Sequence, residues 1–382
     1  MSLLVIFLLE VILRFTPYKI FVETDQGAFP PMFVADDKAG FDLATNYKGG
    51  THSTIETEYP VHTNNIACFD AEVKLGKRYN VLIGDSFTWG FAPLDKKWTT
   101  IVEKNMGQRF IKCGLPAYGP KQALLKLKKV VDKIGKAPKT IIYSYYWNDL
   151  NDDYTGLAST AIEGNLVNRI KTFNYKTGEL EYFSNQELQD NYQQYVKHGN
   201  ADYQSLSPFK KFKYWVKSNS IIANLVYNYL NSFRSHPIEA IARGTTAQYK
   251  TYLTKMSVEE YPWLKKAWKK HLNNIDEMIS YAKSINSKFM IVIIPTKELV
   301  YPNNITQKAK TNLYSSEKRL KKFLNNKNVL YFDLFDGFSK AAKNTKNLYL
   351  SNDLHFTTEG EALAGKLISE YLQKNKFLEA SD

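Results

Sequence analysis

The chain has 382 residues, 44% of them apolar, and its 51 Lys and Arg against 38 Asp and Glu leave a formal net charge of +13. That length supports one large domain or two ordinary ones around a real core, and the composition excludes a mainly disordered or repeat-built chain. Two cysteines, Cys68 and Cys113, exclude a disulfide-built scaffold and a four-thiolate zinc site. A single bridge between them stays open for an exported protein, but two free thiols are the expectation.

The surplus of positive charge fits nucleic acid, an anionic membrane surface or an acidic polymer, and it fits lysines scattered over a large surface equally well. Residues 207–255 are the exception. There Lys210, Lys211, Lys213, Lys217, Arg234, Arg243, Lys250 and Lys255 face only Glu239, with Phe209, Phe212, Tyr214 and Trp215 interleaved. The stretch could lie against phospholipid head groups or an anionic glycan. It matches no nucleic-acid module, and a solvated helical face is the expected role.

The first twenty residues, MSLLVIFLLEVILRFTPYKI, form an apolar run broken by Glu10 and Arg14, which stand at i and i+4 and can pair on a helix. The run is shorter than the about 20 apolar residues a membrane span requires, and it lacks the charged start and small-residue end of a signal peptide. It reads first as a signal anchor extended upstream, then as an interfacial helix or a core helix. The expectation is therefore a membrane-anchored or exported protein on the extracytoplasmic face, with a cytoplasmic protein as the alternative. Arg14 and Lys19 on the outer side argue weakly against that orientation.

After a lead-in over 21–75, short apolar runs rich in β-branched and aromatic residues predict strands at Tyr79–Gly84, Arg109–Cys113, Thr140–Trp147, Lys288–Pro295 and Val329–Leu334. Leu124, Leu127, Val131 and Ile134 at helical spacing, behind Pro120 and before Gly135, predict a helix over 120–134. Thr358 and Glu361 suggest a capping box for a final helix running to about Gln373. Strand alternating with helix implies a parallel sheet covered on both faces. The core domain is expected over 76–154 and 288–376, with a tail over 377–382. Between the two halves, 155–287 shows turns, tyrosine-rich polar stretches and two or three helices, the clearest at Val258–Ile285. It reads as a mainly helical insertion.

The first predicted strand ends in VLIGDSFTWG, where Ser86 follows Gly84 and Asp85. In open parallel sheets ligands bind beyond the carboxyl ends of the strands, although a serine there is by itself more often a turn residue or helix cap. Thr88 occupies the place where a G-x-S-x-G elbow needs glycine, which excludes that motif. GDSF followed by TWG resembles the first sequence block of the GDSL/SGNH hydrolase family, serine esterases and acyl-group enzymes on a flavodoxin-like sheet. That resemblance implies a three-layer α/β/α sandwich and three further blocks. KCGLPAYGPKQ resembles the second, with Ala117 where glycine is usual and Gly114 and Gly119 as flanking reserves. YSYYWNDLND places Asn148 in the position of the third. NDLHFTTEGEALAG resembles the last, offering Asp353 and His355. The commoner family spacing would put the aspartate at Asn352, so Asp353 is the choice and Asp333 the reserve acid. The lead-in TNNIACFDAE and the strand before the last, IVIIPTKELVY, resemble exported bacterial members.

The resemblance implies a triad of Ser86, His355 and Asp353, with an oxyanion hole of the Ser86 and Ala117 N–H groups and the Asn148 amide. A serine hydroxyl needs a histidine to accept its proton, and the histidine needs a carboxylate. His52, His62, His198, His236 and His271 belong to no such constellation and read as structural or surface residues. Metal, nucleotide or other cofactor chemistry has no sequence support, since no H-E-x-x-H, paired C-x-x-C, Walker A or G-x-G-x-x-G is present. The expected function is an esterase that removes O-acyl, chiefly acetyl, groups from a cell-envelope or exported glycan. The alternatives are an O-acyltransferase using the same triad, a lipid esterase, and a non-catalytic glycan- or membrane-binding protein. A glycan ester, or another ester, is the expected partner, with a membrane surface second and nucleic acid remote.

Overall fold

Five short, wholly apolar or mixed segments, buried in the centre and half-buried at the last, assemble the central sheet of the computed structural model: β1 Asn80–Gly84, β2 Phe110–Gly114, β3 Thr140–Tyr145, β4 Lys288–Ile293 and β5 Leu330–Asp333. The structure describes residues 2–15, 29–53, 56–198, 208–209, 216, 220–223, 225–226, 253–301, 307–345, 347–350 and 353–378. All strand pairs are parallel, in the order 2-1-3-4-5. This is the doubly wound flavodoxin-like order, and its direction reverses between β1 and β3.

That reversal decides the layers. With right-handed crossovers, the helix between β1 and β2 falls on one face, and those between later strands fall on the other. α2 (Trp98–Met106) accordingly packs with the last helix, α7 (Thr358–Lys374). On the other side α3 (Pro120–Ile134) packs with α5 (Leu264–Ser284), and α6 (Gln307–Asn326) lies against β5. The three-layer α/β/α sandwich expected from the sequence is thus present, and all five predicted strands are found to within two residues at either end.

The capping expectation at α7 is corrected. Thr357, not Thr358, is the N-cap, accepting from Gly360 N at 3.2 Å. Glu361 is instead buried against α2, where it accepts from Trp98 N at 2.8 Å and occupies the N-terminus of the neighbouring helix. Burial pushes its carboxyl up to about 7, against the opposing pull of Trp98 N–H and Lys97.

The insertion carries helices, but it opens with two antiparallel hairpins the sequence did not reveal, Ser159–Ile162 with Asn165–Asn168 and Ile170–Asn174 with Glu179–Tyr182. Their side chains are half-buried in part and exposed in part, with none fully buried, so no strong apolar alternation marked them. The basic 207–255 stretch lies largely outside the described residues. Its last member, Lys255, is buried and paired with Glu298 at 2.6 Å, which fits neither a solvated nor a lipid-facing role.

The lead-in adds two further hairpins, Phe33–Asp36 with Gly40–Leu43 and Gly50–Ser53 with Glu58–Val61. Their Met32, Phe33, Phe41, Tyr59 and Val61 form a second core with Trp89, Phe91, Leu115 and Tyr118, next to the ends of β1 and β2.

At the N-terminus α1 spans Ser2–Leu13. Leu4, Val5, Ile6, Phe7, Leu8, Leu9 and Ile12 are all exposed, so the core-helix reading fails. Glu10 and Arg14 do pair, at 3.5 Å, and Glu10 also accepts from Ser220 Oγ, Ile221 N and Ile222 N. Among the described residues no helix is long and apolar enough to cross a membrane.

The expectation of two free thiols is also corrected: Cys68 and Cys113 are both buried and form a disulfide. The bridge ties the lead-in to β2 and closes a loop with a sequence separation of 45. Replacing Cys113 with Ala should lower the free energy of unfolding by about 2–4 kcal/mol, measured by denaturant titration of the non-reduced protein, with the wild type under reductant showing a similar loss.

Candidate active site

The ends of three strands set the site. Gly84 of β1 stands level in register with Gly114 of β2 and with Ser144 of β3. The segments that follow these strands, carrying Ser86, Ala117 and Asn148, therefore leave the sheet side by side. Leu115 N donates to Gly84 O at 3.1 Å and joins the first two.

The chain turns sharply after β1. Asp85 accepts from Phe87 N at 2.8 Å and caps a single helical turn, Ser86–Trp89. This turn sits so close to the sheet that a Cβ at Gly84 would lie 2.5 Å from the Thr88 and Ser144 hydroxyl oxygens, which are hydrogen-bonded to each other. A Cβ at Gly114 would lie 2.4 Å from Thr88 Cβ and Trp89 N. Ser86 opens the turn, so its N–H has no acceptor within it.

His355 arrives from the loop before α7. Its Nε2 is 2.7 Å from Ser86 Oγ, and its Nδ1 is 2.5 Å from Asp353 Oδ1. The same carboxylate oxygen accepts from His355 N at 2.9 Å. Burial works to raise the Asp353 carboxyl, but His355 and the backbone N–H groups of His355 and Leu354 outweigh it and hold it at about 2. An ionised Asp353 places the proton of the neutral imidazole on Nδ1 and leaves the Nε2 lone pair for the serine hydroxyl. The Asp-x-His spacing is compatible with this because the turn lets one oxygen of Asp353 meet both the ring and the backbone of His355.

Ala117 has φ of 60°, in the left-handed region, which is the physical reason glycine would suit this place. Its N–H has no hydrogen-bond acceptor among the described residues. Asn148 precedes α4 (Asp149–Thr155) and donates through Nδ2 to Asp152 Oδ2 at 2.9 Å. Its Oδ1 is buried without a partner among the described residues.

The reserve residues fall elsewhere. Asp333 pairs with Lys321 at 2.6 Å and accepts from Phe335 N at 2.8 Å, committed to its own loop. Gly114 serves close packing, and Gly119 is the N-cap of α3. His271 is buried against Asp153 at 2.6 Å and ties α5 to α4. Among the described residues no group of three His, Cys, Asp or Glu stands together to hold a metal ion.

Four contributors escaped the sequence reading. Phe91 stacks on the His355 ring, with centroids 3.7 Å apart and planes 6° from parallel. His52 stands behind Phe91, its ring centroid 4.8 Å away. Lys297 Nζ donates to Leu350 O and Asp353 O, at 2.5 and 3.2 Å, holding the loop that carries the acid. Asp85, the residue before Ser86 in the GDSF motif, is buried, and burial pushes its carboxyl up to about 6 against Phe87 N–H, His355 and Asn148. Only Asp85 carried a local signal, as an Asx cap before a helical turn; the others depend on contacts far apart in sequence.

A family model described as the SGNH hydrolase-like domain of the acetyltransferase AlgX matches residues 261–382. That span contains Asp353 and His355, and its histidine reaches the serine of the GDSF turn. Residues 261–382 are thus similar to an SGNH hydrolase-like domain. No curated protein matches it. Solved structures with some likeness include a lipase/acylhydrolase from Enterococcus faecalis, at 13% identity over 80% of this chain and 100% of that one, with a TM-score of 0.36. The esterase EstA from Pseudoalteromonas sp. is 9% identical over 79% and 100%, with a TM-score of 0.37. A lipolytic G-D-S-L protein from Veillonella parvula DSM 2008 is 9% identical over 78% and 100%, also with a TM-score of 0.37. Likeness at this level leaves the assignment to the family model, the strand order and the site.

Within this site, the raised carboxyl of Asp85 has a measurable consequence. A carboxyl whose folded value lies above its unfolded one favours the folded state fully below about pH 4 and loses that contribution as pH rises through about 6. Asn at this position can still cap Phe87 without ionising. The stability of Asp85→Asn relative to wild type should therefore rise by about 2–3 kcal/mol between pH 4 and pH 8, read from denaturant midpoints across that range.

Proposed function

We propose that this protein is a serine-dependent acyl-group enzyme that carries an O-acetyl group on Ser86 and passes it to a hydroxyl of a cell-envelope or exported glycan. The observation that carries the reading is the unbroken line from Asp353 through His355 to Ser86, with contacts of 2.5 and 2.7 Å.

In this mechanism His355 Nε2 takes the Oγ proton as Ser86 attacks the ester carbonyl, and Asp353 stabilises the imidazolium that forms. The N–H groups of Ser86 and Ala117 meet the oxyanion, with the Asn148 amide beside them. The Asn148 amide donates to Asp152 and also acts on the Asp85 carboxyl, so in meeting the oxyanion it exchanges one of these hydrogen bonds for the new one. The intermediate collapses, the donor alcohol leaves with the proton from Nε2, and the acceptor hydroxyl then repeats the sequence on the acyl-serine. Every proton that leaves a hydroxyl passes through one imidazole nitrogen.

The match of residues 261–382 to a model described for an acetyltransferase supports acetyl as the group and a hydroxyl as the acceptor. Hydrolysis is the second reading, favoured by the 37% exposure of the Asp353 side chain, which leaves water close to the triad. Lipid-ester hydrolysis and a non-catalytic binding scaffold rank below these, the latter because the serine, histidine and acid are all in place. Placement outside the cytoplasm is part of the proposal. A buried disulfide suits an oxidising compartment, and the exposed apolar α1 suits a membrane anchor.

Fluorophosphonate labelling should yield an adduct on Ser86, located by mass spectrometry, that is absent in Ser86→Ala. The labelling rate should be at least about 100-fold lower in His355→Ala, the usual scale of a general base. O-acetylated glycan fragments offered with and without an unacetylated acceptor then separate transfer from hydrolysis. A folded protein that takes no label would remove the nucleophile and leave the binding scaffold.

A further inference from the structure

We propose that Phe91 is a positioning residue of this reaction, its ring face bracing the His355 imidazole in line with Ser86 Oγ and favouring the charged form that the imidazole passes through. The inference rests on the acyl-transfer reading above. It adds a part that neither the motif blocks nor the family match contains.

The geometry is that of a stack and not of incidental contact. The two ring centroids are 3.7 Å apart and the planes differ by 6°. An aromatic face carries negative charge density, so it attracts a cation lying against it. In the acyl-transfer reading His355 is a cation while it holds the serine or acceptor proton. Phe91 therefore interacts more strongly with the state in which the proton has moved, which is what lowers a barrier.

Phe91 is held on both sides. Its carbonyl accepts from Thr57 Oγ1 at 3.2 Å, and the preceding Gly90 carbonyl accepts from Tyr59 Oη at 3.1 Å. Tyr59 Oη also accepts from Trp89 Nε1 at 2.9 Å and meets His52 Nδ1 at 2.6 Å. The His52 ring stands nearly perpendicular to Phe91, at 82°, and is itself stacked on Phe29 at 4.1 Å. Burial, with the nearby His355 and Lys97, keeps His52 neutral, down at about 3. No second cation thus competes for the Phe91 ring from that side. The hairpin carrying His52, Thr57 and Tyr59 becomes part of the active site through this one ring.

The titratable groups around His355 are Asp353 on its own loop, Asp85 beneath the nucleophile and His52 beyond Phe91, while Lys297 meets that loop through backbone carbonyls. All remain when only Phe91 is changed. Phe91→Leu keeps an apolar side chain but removes the π face; Phe91→Tyr keeps both. The readout is the fluorophosphonate labelling rate of the full chain as a function of pH, with thermal unfolding as the folding control.

In Phe91→Leu the plateau rate should fall roughly fivefold to tenfold, and the acid limb should move down by about 0.5 pH unit, because the charged imidazole loses its stabilising face. Phe91→Tyr should keep the wild-type limb and a rate within about twofold. If Leu does not fold, Phe91→Met takes its place with the same expectation. An unshifted limb in the Leu or Met variant, or a Tyr variant that behaves like Leu, overturns the proposal. A wild-type protein that takes no label overturns the acyl-transfer reading and this inference with it, whereas a labelled wild type with an unshifted Leu limb overturns this inference alone.

Discussion

The arrangement depends on how closely the turn Ser86–Trp89 can approach the sheet. Neither Gly84 nor Gly114 has room for a Cβ, because the Thr88 side chain and the Trp89 backbone occupy that space. With that contact made, Ser86 lies within reach of a histidine on a loop from the far end of the chain, and Trp89 and Phe91 are committed to the core built by the lead-in. A side chain at either glycine would push Ser86 away from His355 and disturb two cores together. The glycines are needed here for the absence of a side chain.

Around this turn the protein buries charge and polarity in places where backbone dipoles offset part of the desolvation. Asp85 caps the turn Ser86–Trp89 and Glu361 occupies the N-terminus of α2. Both carboxyls are nevertheless raised by burial, so the offset is incomplete and each weakens the folded state as pH rises. Asp353 is the opposite case. It keeps solvent contact, meets His355 and two backbone N–H groups, and stays ionised. The three carboxyls thus take their proton affinities from their surroundings, and the one held lowest is the one beside the histidine.

The lead-in and the insertion show where patterns in the sequence stop being informative. The five core strands are read easily because parallel strands buried on both faces are continuous apolar runs. The hairpins at Ser159–Asn168 and Ile170–Tyr182 are partly exposed and largely polar, so their strands look like loops. The disulfide was missed for a different reason. Forty-five residues separate the cysteines, and only the placement of the lead-in against β2 brings their Cα atoms to 4.9 Å. Phe91 was hidden in the same way, since nothing local marks a phenylalanine that will stack on a histidine more than 250 residues away.

What the sequence determined by itself is the parallel sheet, its order of elements and the chemical identities at the site: a serine after the first strand, an asparagine after the third, and an Asp-x-His before the last helix. The sheet follows from local periodicity, whereas the site residues follow from the resemblance of their motif blocks to the GDSL/SGNH family, since each alone reads as a turn or cap residue. What only the tertiary structure decided is which carboxylate reaches the histidine, that Asp333 is spent on Lys321, that Ala117 adopts a left-handed backbone, that the cysteines pair, and that an aromatic face covers the imidazole. Those outcomes depend on distances between elements remote in the chain. Such distances arise from the packing of layers and from the burial of particular side chains, and no pattern of neighbouring residues contains them.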